Sequence, residues 1–243
     1  MNTNTSKYSK SFLPLIISLI LIAVLWGIFD GKVEIKELTI PFLSAFSTFL
    51  GALFAFRLNE NKEYLEIRNV QLSALKRSLF ILARQANAIN LIDKLLEPYI
   101  SENERAFNLL AFKPPNYTKL NQNFEDLEFL LNSEHVNLLL ELTVEEERFH
   151  QALESLKLRS DFYVIEVLPL IASKSLSGKA LSSDELFEAL GERVFGTAIT
   201  YSNSLYYHIF ENKKSINSMH NKLFAVSKKF FPNEKFIRPL EIL

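Results

Sequence analysis

Residues 38–56 read LTIPFLSAFSTFLGALFAF, 19 consecutive positions without a charge, and residues 11–29, SFLPLIISLILIAVLWGIF, are a second such run of 19. At about 1.5 Å per residue, either run makes a helix about 28 Å long, close to the ~30 Å hydrocarbon core of a bilayer. One run of this kind fits a buried helix of a globular core. Two in succession, separated only by Asp30 to Glu37, point to a transmembrane hairpin whose short link forces the helices antiparallel. Trp26 near the end of the first run suits the headgroup boundary. A cleaved signal peptide is the rival reading, since Lys7 and Lys10 give the first run a basic front. The run is longer than the usual apolar core of about 7–15 residues, and no small-x-small cleavage site follows it.

The flanking cations set an expected orientation. Lys7, Lys10, Arg57, Lys62 and Arg68 stand outside the hairpin, and only Lys32 and Lys36 lie in its link. The positive-inside rule then puts both ends on the cytoplasmic side. In the second run Ser47, Gly51 and Ala55 recur every fourth residue, with Ser44, Thr48 and Ala52 in the adjacent row. Small-residue rows let helix backbones approach closely in lipid. They fit packing within the hairpin or self-association of several chains. Neither run holds an ionisable residue, which argues against a substrate or proton pathway.

Beyond the second run the chain reads as helix. Leu65, Leu72, Leu79 and Ala86 recur every seven residues, as do Leu75, Leu82, Ile89 and Leu96 three positions further on. This a/d seam, interrupted by Arg68 and Asp93, predicts a long coiled-coil-like stalk that stops near Pro98. Pro114-Pro115 marks a break. Apolar periodicity resumes through Phe124, Leu127, Leu130 and Leu131. Further helices are expected over 133–158 and around 162–171, and 173–180 reads as a loop. Ser182 with Glu185 forms a capping box that opens a last helix running to about Phe231, with weak points at Gly191 and Gly196. No alternating run argues for a sheet. The expected fold is thus an all-α membrane protein: a hairpin over 1–57, a stalk over 58–97, and a cytoplasmic antiparallel helical bundle over 98–243.

The totals exclude several classes of chemistry. The chain has 243 residues, 27 basic against 28 acidic, and no cysteine. Disulfides, zinc-thiolate sites and thiol nucleophiles are therefore absent, and no global field selects a nucleic acid or an acidic substrate. Six glycines leave little material for phosphate-cradling loops, and there is no P-loop, dinucleotide fingerprint or nucleophile elbow. Glu147 and His150 have the Glu-x-x-His spacing of carboxylate-bridged dimetal bundles. Such sites need a second pair, and none of His135, His208 and His220 has an acid three residues before it. Glu146, Glu147 and Glu154 around Arg148 and Lys157 read more simply as a solvated helix face. No catalytic residue, metal, cofactor or small-molecule substrate is expected.

The C-terminal segment is basic. Lys213, Lys214, Lys222, Lys228, Lys229, Lys235 and Arg238 face only Glu234 and Glu241. Phe224, Phe230, Phe231 and Phe236 interleave with them, after Tyr201, Tyr206 and Tyr207. This is either a solvated lysine face over core aromatics or a surface for phosphates of a nucleoprotein or of lipid headgroups.

Ala55-Phe56-Arg57-Leu58, the Leu75–Phe80 stretch LKRSLF and Ala83-Arg84-Gln85, set after two apolar runs, resemble bacterial two-pass membrane proteins. The plan over residues 10–95 is similar to the transmembrane effectors of retron anti-phage systems. That resemblance implies a toxin arm of abortive infection in the bacterial inner membrane. A reverse transcriptase with its nucleic-acid product would restrain it, and it would act as a homo-oligomer that damages the bilayer once released. It carries no active-site residue. The alternatives are a non-toxic, membrane-anchored helical scaffold and an accessory or regulatory subunit.

Overall fold

The computed structural model describes Ile22, Trp26 and residues 35–238 except 114–116, 118–119 and 180, with the backbone alone for 35–39 and 42. Every regular element among the described residues is helical. α1 spans Ile35–Leu96, α2 Val136–Phe162, α3 Leu168–Ser173, α4 Ser183–Leu190 and α5 Glu192–Phe230. A π-helical turn, Glu104–Asn108, and a 3-10 helix, Glu125–Leu130, lie between α1 and α2. A second π turn, Tyr163–Val167, leads α2 into α3. The chain forms two compact units, Met1–Glu66 and Ile67–Leu243.

The first unit, where described beyond Ile22 and Trp26, is the N-terminal part of α1. Pro41 lies inside this helix. Thr48 Oγ1 donates to Ser44 O at 2.9 Å, the back-bond by which a hydroxyl settles in a helix. Lys62 and Glu66 pair across one turn at 3.8 Å, both well exposed.

This unit corrects the expected membrane hairpin. The first apolar run, 11–29, lies outside the described residues except for Ile22 and Trp26. Among the described residues no helix is long and apolar enough to cross a membrane. The second run, 38–56, is helical along its whole length within α1. Ser44, Ser47, Thr48 and Gly51 dilute its hydropathy, and Arg57, Asn59, Glu60, Asn61 and Lys62 follow at once. The multi-pass inner-membrane location and the cytoplasmic orientation inferred from the hairpin are withdrawn with it.

The second unit is a helical bundle whose core runs in three successive layers. Leu75, Leu79 and Leu82 of α1 pack with Leu138 and Leu142 of α2, Ile216 and Leu223 of α5, and Leu127 and Leu130 of the 3-10 helix. Next come Ile89, Ile92 and Leu96 of α1 with Phe149 and Leu156 of α2 and Leu205 and Ile209 of α5. The last layer joins Phe107, Tyr163, Val167, Leu190 and Val194. Residue numbers rise together along α1 and α2 and fall along α5. α1 and α2 are therefore parallel, and only α5 runs antiparallel to both. The expected all-antiparallel bundle is corrected on this point. The 97–135 connection returns along the bundle, burying Leu109, Leu120 and Leu127 as it goes, which lets two consecutive long helices point the same way.

The heptad seam has its partner inside the chain. From Leu75 to Leu96 its positions are buried in the first two layers, so this stretch is core of the bundle rather than a free stalk. The capping box forms as its residues dictate: Glu185 N donates to Ser182 Oγ at 3.3 Å, and Ser182 N donates to Glu185 Oε2 at 2.7 Å. α4 stops at Leu190 because Gly191 takes φ 78° and ψ 156°, a left-handed conformation a side chain would strain. α5 starts immediately afterwards.

Candidate interaction surfaces and a buried polar layer

Polar groups cut through the apolar layers on α2. Glu145 and Glu146 are consecutive and both buried, whereas Glu147 is exposed. The reading of this stretch as a solvated face is corrected for Glu146, while Glu147, Arg148, Glu154 and Lys157 are exposed. Glu146 Oε2 accepts from Gln85 Nε2 of α1 at 2.7 Å, and Glu146 Oε1 accepts from Gln122 N at 3.2 Å. Gln85 also donates to Leu120 O at 2.8 Å, and Ser78 Oγ donates to Gln122 Oε1 at 2.7 Å. This network ties α1 to α2 and fixes the returning connection against both. Amide donors on a neighbouring helix satisfy a buried carboxylate that would otherwise cost several kcal/mol.

Glu145 faces α5 instead. Its Oε1 accepts from Asn212 Nδ2 and Ser215 Oγ, both at 2.8 Å. Its Oε2 has only Arg148 Nη1 at 3.4 Å, a weak contact by geometry. Burial raises the Glu145 pKa above its ordinary value, against the opposing pulls of Ser215 and Arg148. The carboxyl borders a groove of about 360 Å³ between α2 and α5. Leu140, Val144 and Met219 supply its apolar wall, and Glu141 with Lys222, paired at 2.5 Å, closes its rim.

Arg159 is buried with no carboxylate against it. Its Nη1 donates to Leu110 O at 3.1 Å. Its Nη2 donates to Arg105 O at 3.1 Å, Ala106 O at 3.2 Å and Leu109 O. Its guanidinium also lies 4.8 Å from the Tyr163 ring centroid. Burial pushes its pKa down to about 10, so it stays a cation at neutral pH. Its counter-charge is the carbonyl end of the Glu104–Asn108 turn, where unsatisfied C=O groups carry partial negative charge.

The expected site residues fall into separate groups. Ser44, Ser47, Thr48, Gly51, Ala52 and Ala55 lie on α1 in the first unit, nearly all exposed. A Cβ at Gly51 would meet nothing within 4 Å. Of the C-terminal cations, four are engaged within the fold. Lys213 pairs with Asp93 at 2.5 Å, Lys214 with Glu211 at 3.1 Å, and Lys222 with Glu141. Lys228 donates to Glu234 O at 2.7 Å. Lys229, Lys235 and Arg238 are exposed. His150 Nε2 sits 3.3 Å from Glu146 Oε1, four residues back, rather than from Glu147. Among the described residues no group of three or more His, Asp or Glu could hold a metal ion.

No protein-family model, curated protein or solved structure matches the chain, so the resemblance to retron effectors gains no support from a relative.

Proposed function

We propose that the chain is a helical binding scaffold that self-associates along the N-terminal part of α1. One observation carries this reading. Leu43, Phe54, Leu58 and Leu65 recur on one helical face by their spacing, and all are more than half exposed, with Leu58 at 69 %. Continued by heptads, the same stripe becomes Leu72, Leu75, Leu79 and Leu82, which the bundle buries or half-buries. One apolar stripe is thus covered by the chain's own helices in its C-terminal part and uncovered from Leu43 to Leu65 in its N-terminal part, roughly three heptads. Exposed apolar stripes of this length mark interaction sites, and a second copy brings an identical stripe to an isologous contact. The small residues beside the stripe leave room for close approach.

This reading is favoured over the membrane-damaging effector because that role needs a helix long and apolar enough to cross a bilayer, and none is found among the described residues. It is favoured over catalysis because the buried acids are held by amides and hydroxyls rather than opposed to a nucleophile. Sedimentation of the full chain tests it. A dimer or higher oligomer with Kd on the order of 1 µM or tighter, lost in a Phe54→Glu, Leu58→Glu double variant of unchanged helix content, is the expected result. A monomer across that concentration range rejects it.

A further inference from the structure

One face of α5 carries cations and rings in an order that its sequence spacing sets. Tyr206, Phe210 and Lys214 stand one turn apart. The Tyr206 and Phe210 rings are nearly parallel, 7° between planes and 6.3 Å between centroids. Lys214 Nζ lies 3.8 Å from the Phe210 centroid. At the other end the Arg105 guanidinium lies 4.4 Å from the Tyr206 centroid. The Arg105 carbonyl accepts from Ser202 Oγ at 3.2 Å, one turn before Tyr206, and Arg105 Nη1 donates to Ile100 O at 2.6 Å. Each ring of the pair therefore has one cation near it. Tyr206 and Phe210 are both 43 % exposed, and Tyr207 beside them is 61 % exposed.

We propose that this ladder is a docking surface for single-stranded nucleic acid, with an unpaired base stacked on or between Tyr206 and Phe210 and the neighbouring phosphates held by Lys214 and Arg105. Three features select this partner. A planar group between two parallel rings needs about 7 Å, twice the ~3.5 Å contact distance of carbon atoms, and the two ring centroids stand 6.3 Å apart. The cations beside the rings supply the positive charge that neighbouring phosphates need. Exposed stacking rings with flanking cations are the means by which proteins hold single strands without reading sequence. Lys214 is available to a phosphate because its pair with Glu211 is exposed, and such pairs contribute little. A duplex, whose bases are stacked on one another, offers no free face to the rings.

Fluorescence anisotropy with a labelled oligodeoxythymidylate of about 12 nucleotides, a length that covers sites of this kind, tests the proposal on the full chain. Salt-sensitive binding is expected. Tyr206→Ala with Phe210→Ala should weaken it about tenfold or more, the loss typical of removing stacked rings. Tyr206→Phe should keep it, and Lys214→Ala should weaken it and flatten its salt dependence. Both rings are half exposed, so an unchanged melting temperature separates lost binding from lost folding. The proposal is overturned by absence of binding at low salt, by equal binding of the double-ring variant, by a duplex bound as tightly as the strand, or by thymidine monophosphate competing as well as the oligomer.

Discussion

Asn212 Nδ2 on α5 donates to Glu145 Oε1 on α2 at 2.8 Å, and both residues are almost fully buried. This bond joins two antiparallel helices at the boundary between two apolar layers. Removing the donor leaves a desolvated carboxyl with the Ser215 hydroxyl and a long contact to Arg148. Asn212→Leu should therefore lower stability by about 1–3 kcal/mol at neutral pH, measured by chemical unfolding.

The same carboxyl has a pH signature. Its folded pKa lies above the ordinary 4.5, so the folded state holds this proton more tightly than the unfolded chain. The associated stability is fully present below pH 4.5 and is lost as pH rises through the folded value. Glu145→Gln should flatten this part of the stability profile. A variant profile parallel to that of the parent would show that Glu145 titrates as in water.

His220 pulls the other way. It is 2 % exposed, neither ring nitrogen has a hydrogen-bond partner among the described residues, and burial lowers its pKa, partly offset by the nearby Leu79 main chain. The unfolded chain takes up the proton first. Stability is fully present above the ordinary pKa of 6.5 and falls as pH drops from there toward the folded value. His220→Leu should remove that loss while leaving stability near pH 8 equal or higher, since an unpaired buried polar group is replaced by an apolar one.

Arg159 closes the carbonyl end of the Glu104–Asn108 turn with a fork of donors. Arg159→Met keeps much of the packed volume but strips donors from four carbonyls. A loss of at least about 3 kcal/mol is expected, since each abandoned buried acceptor costs roughly 1–3 kcal/mol. Arg159→Lys should recover only part of it, because an ammonium cannot span the four oxygens. Recovery of full stability by lysine would show that charge alone matters.

Gly51 distinguishes helix propensity from assembly. With open space at its Cβ position, Gly51→Ala should strengthen α1 by about 0.5–1 kcal/mol, seen as higher helix content. Gly51→Leu adds bulk beside the apolar stripe and should weaken self-association in sedimentation without loss of helix.

Much of the helical framework was legible in local patterns. The seven-residue recurrence of Leu75, Leu82 and Ile89 identified core positions, the Ser182–Glu185 pair located the start of α4, and Gly191 was a visible weak point. Each is written within a few residues of chain. The partners of those patterns were not. A seam describes an apolar face equally well whether the covering helix comes from the same chain or another, and α1 uses both possibilities in different halves by our reading. Uncharged runs likewise report hydropathy without reporting which surfaces meet. The buried acids were hidden for the same reason. Glu145, Glu146 and Glu147 are consecutive acids, and partners distant along the chain, Gln85 and Gln122 for Glu146 and Asn212 and Ser215 for Glu145, hold two of them inside. Arg159 was missed because its counter-charge is a set of backbone carbonyls, which no side-chain pattern announces.

α1 is unbroken from Ile35 to Leu96, and that continuity joins two equilibria. The residues we propose to pair with a second copy and those that build the bundle belong to one helix, so on that proposal assembly and folding become linked through mass action. Whatever binds the native helix and not the unfolded chain raises the free energy of unfolding, by about 1.4 kcal/mol for each tenfold rise in concentration above Kd. The protein's melting temperature should then climb with its own concentration, and simple dilution should act on it as a mild denaturant.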